Sequence, residues 1–130
     1  MNFKNLKKLN IEQIKYLENK ILNKEFDLVD KIIESLDDHI FNSQVIKLLY
    51  ANSKVLNKKS NLLDKKKAFV IFLEIYKSNP NLIKILYNAS ILCFELQEYH
   101  EILILLEQFL DKNKFDQKIY DALYKVYAAL

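Results

Sequence analysis

Residues 67–99 read KAFVIFLEIYKSNPNLIKILYNASILCFELQEY, and their spacing decides the fold class. Apolar side chains recur three and four apart on both sides of the Asn79-Pro80 pair, at Ala68 and Phe72 before it and at Leu86, Ala89 and Cys93 after it. With 3.6 residues per turn, that spacing gathers them on one face of a helix. The pair between them reads as a helix start. Asn79 offers a side-chain cap, and Pro80 brings a preset φ to a first-turn position where an amide hydrogen has no partner. The stretch is therefore two helices joined by a short break.

The same spacing continues outward, through Ile11, Ile14, Leu17 and Ile21 and then Leu28, Ile32 and Leu36. No window alternates in the manner of a strand. The pattern predicts an all-α chain of about seven helices, near 11–23, 26–38, 44–57, 64–78, 81–96, 99–112 and 117–130. Asn10, Ser43, Asp64 and Asp116 stand where their short polar side chains can accept a bond from an unpaired first-turn amide. The stretch from Asn57 to Lys67 carries five lysines and reads as a loop running into the next helix.

The chain also repeats itself. The shift that lays Ala68 on Ile102 also superimposes Phe72 on Leu106, Leu86 on Tyr120, Ala89 on Leu123 and Cys93 on Tyr127. Upstream, Phe26, Val29, Ile33 and Leu36 match Tyr99, Ile102, Leu106 and Phe109, at an offset five longer than two such periods. Most of that excess falls around Asn57 to Ser60.

On these residues, and on a period of about 34 residues, the chain resembles the tetratricopeptide repeat family. Ala68, Phe72 and Pro80 look like the second helix of such a repeat and its closing proline, and Leu86, Ala89, Ser90 and Tyr99 like the next first helix and turn. The family's usual glycines are absent, and Ile102 and Leu106 are bulkier than the residues they replace. The resemblance implies an α-solenoid of about three and a half antiparallel hairpins in a right-handed superhelix. It would be one domain over 1–130, with approximate repeats at 10–40, 44–80 and 81–115 and a half repeat at 116–130.

In that family the first helix of each pair lines a concave groove. Carried across, the groove positions are Lys47, Tyr50 and Lys54, then Lys84, Tyr87, Asn88 and Ile91, then Lys118, Asp121 and Lys125. Such a surface suits an acidic extended segment, with ammonium groups for charge, Asn88 for peptide backbone and tyrosine rings for contact area. A two-carboxylate clamp is matched only in part, since Tyr50, Lys54 and Ala122 stand where it would need other residues. The expected function is a non-catalytic scaffold for a peptide or protein. The alternative is the N-terminal accessory repeat region of a longer bacterial protein, a transferase of sulfotransferase or glycosyltransferase type.

Composition narrows the classes further. The 130 residues contain no Gly and no Trp, one Pro, and 20 basic residues that are all Lys. Without Gly there is no phosphate-binding loop, dinucleotide fingerprint or glycine-flanked nucleophile elbow. Without Arg the bidentate fork for guanine edges and phosphates is missing, and a net charge of +3 is mild for a nucleic-acid module. A helical repeat that binds RNA is the weaker reading, because the groove positions lack arginine and the strongest matches are to the peptide-binding pattern.

His39 and His100 have no partners at metal-ligand spacing, and Cys93 lies on an apolar stripe with Ala89 and Leu96. Neither a metal nor a cofactor is expected. The longest apolar run, Ile102 to Leu106, is five residues, against the roughly 20 of a membrane helix. With no signal-peptide run and a lone cysteine, a cytoplasmic protein is expected. Lastly, Leu123, Tyr124, Tyr127, Ala128 and Leu130 leave apolar surface on a final helix that has no partner helix after it. That predicts a homodimer, or a downstream domain, across this helix.

Overall fold

A computed structural model describes residues 1–3, 8–112 and 115–130. Asn113 and Lys114, within the third predicted repeat, lie outside the described residues. Among the described residues the fold is all-α, with eight helices and no strand, and it divides into two compact units, Met1–Asp64 and Lys65–Leu130.

The first unit holds α1 (Ile11–Leu22), α2 (Phe26–Glu34), α3 (Asp38–Phe41) and α4 (Gln44–Leu56). Asn10 starts α1 through a reciprocal cap. Its side chain accepts the Gln13 amide at 2.8 Å, the Gln13 side chain accepts the Asn10 amide at 2.8 Å, and the Gln13 side-chain amide donates to the Asn2 carbonyl. The turn into α2 runs through Lys24, which has a positive φ of 62°. Of the predicted second helix, only the part to Glu34 is continuous. The Ser35 hydroxyl donates to the Ile32 carbonyl at 2.6 Å, Asp37 is extended, and the four-residue α3 follows. A serine that bonds its own preceding turn competes with helix continuation.

Ser43 caps α4 as expected, accepting the Ile46 amide. Helices α1, α2 and α4 each pack on the other two, and α3 packs on α4. Between them lie Leu9, Leu17, Ile21, Val29, Ile33, Leu36, Ile40, Ile46 and Leu49, all buried. The Ser53 hydroxyl, also buried, has no hydrogen-bond partner.

The second unit is built on α5 (Leu62–Ser78), α6 (Ile83–Leu96), α7 (His100–Lys112) and α8 (Gln117–Ala129), with the first turn of α5 belonging to the first unit. The lysine-rich stretch is shorter as a loop than predicted, because α5 begins at Leu62. Asp64 is not its cap but the third residue of a second reciprocal pair. The Asp64 amide donates to the Asn61 side chain at 2.8 Å, and the Asn61 amide to the Asp64 carboxylate at 3.3 Å. Burial in α5 runs nearly all round, through Ala68, Phe69, Ile71, Phe72, Leu73, Ile75 and Tyr76.

Asn79 and Pro80 do not start α6. The residue before a proline is pushed out of the α region, so α5 ends there, with the Asn79 amide donating back to Ile75 and Tyr76. Pro80 then supplies the first central position of a turn closed by the Leu82 amide on the Asn79 carbonyl at 3.0 Å. The preset φ serves the turn, and α6 starts only at Ile83. It ends at Gln97 in the left-handed region, φ 57°, with the Glu98 amide returning to the Cys93 carbonyl. Asp116 caps α8 by accepting the Ile119 amide at 3.1 Å.

Helix α7 packs on α6 and α8, and α6 packs on α8, so α6, α7 and α8 repeat the mutual packing of α1, α2 and α4. The offsets found in the sequence reappear as geometry. The short period that lays Ala68 on Ile102 also carries the end of α5 onto the end of α7 and the start of α6 onto the start of α8. The longer offset that lays Phe26 on Tyr99 carries α4 onto α8 at both ends.

Candidate functional site

The adjacent helices α6 and α8 bring the predicted residues of the second unit onto one surface. From α6 come Lys84 and Ile91, both exposed, and Tyr87 and Asn88, half-buried. Helix α8 adds Lys118, Asp121 and Lys125, all exposed. The Lys118 ammonium stands 5.4 Å from the centroid of the Tyr87 ring, within the range of attraction between a cation and an aromatic face. This contact joins the two helices across the surface. Asp121 accepts a bond from the Gln117 side-chain amide at 2.7 Å. The result is a surface with three ammonium groups, one carboxylate, a tyrosine ring and an amide.

The three residues expected from α4 are placed differently. Lys54 turns toward α2 and pairs with Asp30 at 3.0 Å, its ammonium 5.4 Å from the Tyr50 ring centroid. Tyr50 meets Phe41 of α3 edge to face at 5.7 Å. Burial alone would lower the Lys54 pKa, but the hydrogen bond and charge of Asp30 outweigh it and hold the pKa above the usual lysine value. Burial raises that of Tyr50. Lys47 shares this face by its helical spacing.

In the longer offset that sets α4 on α8, Lys47, Tyr50 and Lys54 correspond to Tyr120, Leu123 and Tyr127, and not to Lys118, Asp121 and Lys125. The counterparts of Lys118, Asp121 and Lys125 are Val45, Leu48 and Asn52, which carry no charge.

Other chemistry-bearing residues are placed plainly. Cys93 is fully buried, its thiol donates to the Ser90 carbonyl at 3.0 Å, and burial pushes its pKa up to about 12. That is a core residue and a poor nucleophile. His39 and His100 are exposed, and among the described residues no three His, Cys, Asp or Glu side chains are grouped to hold a metal ion. Of the lysine cluster, Lys65 and Lys66 pair with Glu95 and Glu98, while Lys58, Lys59 and Lys67 are exposed. No described helix is long and apolar enough to cross a membrane.

Comparison with protein-family models, with curated proteins and with solved structures finds no match to this chain.

Proposed function

We propose that this chain is a non-catalytic binding module, a tetratricopeptide-like solenoid that holds an acidic extended segment of a protein partner on the α6 and α8 surface. The observation that carries the reading is the Lys118 contact with Tyr87 between neighbouring helices, flanked by Lys84, Lys125 and Asn88. An extended peptide lying across both helices would meet ammonium groups at its carboxylates, an amide at its backbone and a ring at its apolar side chains. The helical architecture of the reading is supported by the repeated three-helix packing and by helix ends that recur at both offsets of the sequence.

The test uses fluorescent decapeptides that differ only in carrying four glutamates or four glutamines, titrated against the chain by anisotropy. The glutamate peptide should bind with an affinity that falls as salt rises, because exposed charges are screened within about 10 Å at 0.1 M. Lys84→Glu with Lys118→Glu should remove that binding while the melting temperature stays put. Equal binding of the two peptides, or binding indifferent to the double substitution, sinks the reading.

A further inference from the structure

The longer offset that sets α4 on α8 also brings α1 to within one residue of both ends of α6, and the two pairs of helices pack in the same way. Their outward chemistry differs. Where the second unit has Lys84, Tyr87, Lys118 and Asp121, the first has Ile11, Ile14, Val45 and Leu48. Ile11 is 70% exposed and Val45 47%, while Ile14 and Leu48 are half-buried. Leu22 and Leu56, 74% and 56% exposed, continue the stripe further along each helix, at places where the second unit has Glu95 and Ala129. Charge at these positions is compatible with the fold, because the second unit carries it there. The aliphatic side chains of the first unit are therefore not demanded by packing, and on two packed helices they make a contiguous apolar patch of the kind that marks an interaction site. Neighbouring stretches of chain do not cover the equivalent face in the second unit. Helix α6 has helices before and after it, and Lys84 and Ile91 remain exposed.

We propose that the α1 and α4 face docks an aliphatic, extended stretch of the protein partner, where the α6 and α8 face takes an acidic one. The choice of face rests on the reading of the α6 and α8 surface given above. The chemistry of the occupant follows from what lines the face. Lys15 and Glu18, the charged residues among the aliphatic ones, are exposed and sum to zero, so neither sign of charge is favoured. A carboxylate or an ammonium group seated on Ile11 and Val45 would give up water and gain no partner, whereas a leucine or valine side chain gains by leaving water. Asn52, half-buried at the counterpart of Lys125, offers an amide to a peptide backbone, as Asn88 does on α6.

The probes are two fluorescent decapeptides that alternate serine with leucine or with glutamate, titrated by anisotropy against the 130-residue chain. The leucine peptide should bind with an affinity that does not fall as salt rises, since no charge is there to be screened. Ile11→Lys with Val45→Lys, which gives the first unit the lysines that the second has at 84 and 118, should weaken the leucine peptide about tenfold or more. The same pair should raise the number of glutamate peptides bound, with the circular dichroism spectrum unchanged. Lys84→Glu with Lys118→Glu should leave the leucine peptide unaffected. No binding of the leucine peptide, or binding indifferent to Ile11→Lys with Val45→Lys, overturns the proposal even where the glutamate peptide binds. Binding of the leucine peptide alone, with the expected dependence on Ile11 and Val45, would overturn the reading of the α6 and α8 surface and keep this one. A concentration-dependent dimer of the chain that Ile11→Lys with Val45→Lys dissociates would give the face to a second copy and overturn the proposal as well.

Discussion

At the scale of single residues, one buried oxygen stands out. The Ser53 hydroxyl is shut away from solvent with no hydrogen-bond partner, and its counterpart on α8 is Val126, an apolar residue in the same kind of place. A buried unsatisfied hydroxyl costs on the order of 1–3 kcal/mol, whereas the methyl group of alanine would leave only a small void. Ser53→Ala is therefore expected to stabilise by about 1 kcal/mol, which for a chain of this size raises the melting temperature by roughly 3–5 °C. A drop in calorimetric melting temperature would mean that the hydroxyl contributes to stability after all. Nothing in the sequence marks Ser53 in this way, because a serine on an apolar stripe reads as a small residue until its partners are known. Cys93 is the opposite case. Its place between Ala89 and Leu96 already indicates burial, and the structure adds only the bond to Ser90.

At the scale of elements, helix starts are legible wherever the cap is a short polar side chain acting on its own first turn. Asn10, Ser43 and Asp116 are such caps, and each interaction stays within that turn. The Asn79-Pro80 pair shows where the same logic stops. A proline fits the first turn of a helix and the second position of a tight turn equally well, and the choice depends on how the neighbouring helices pack. Helix ends have a further peculiarity in a chain without glycine. Lys24 and Gln97 hold the left-handed conformation that usually falls to glycine, with φ of 62° and 57°. A side chain with a Cβ is penalised there by about 1–2 kcal/mol. Part of that is recovered by substituting glycine, after its greater freedom in the unfolded chain is subtracted. Gln97→Gly is expected to stabilise by about 0.5–1 kcal/mol, read as a higher urea midpoint at unchanged slope. A lower midpoint would show that the Gln97 side chain makes contacts worth more than the strain.

At the scale of the whole molecule, the repeat is the most informative signal, and it is also where register is lost. Helical spacing places seven elements, because 3.6-residue periodicity is a property of each segment alone. Which positions of α4 match those of α6 and α8 depends on register across the insertion at Asn57 to Ser60, and a slip of two residues turns a helix by more than half a revolution. Lys54 thus reads in the sequence as an open cation, and in the structure it is the partner of Asp30. The second unit has no insertion, and there the predicted surface residues fall together on α6 and α8.

That helix starts and ends coincide one period apart has a further consequence, which concerns growth. Asp116, which caps α8, stands directly before the position equivalent to Ile83, so a second copy of residues 83–116 placed after Asp116 would interrupt no helix and would find its cap already in place. The lengthened chain is expected to keep its helical content per residue and to melt no lower than the original. Loss of ellipticity per residue would show that the ends recur without the interfaces recurring. If it folds, a tandem duplication in frame is structurally silent, and the number of units becomes a quantity that copying errors can change without first passing through an unfolded ancestor.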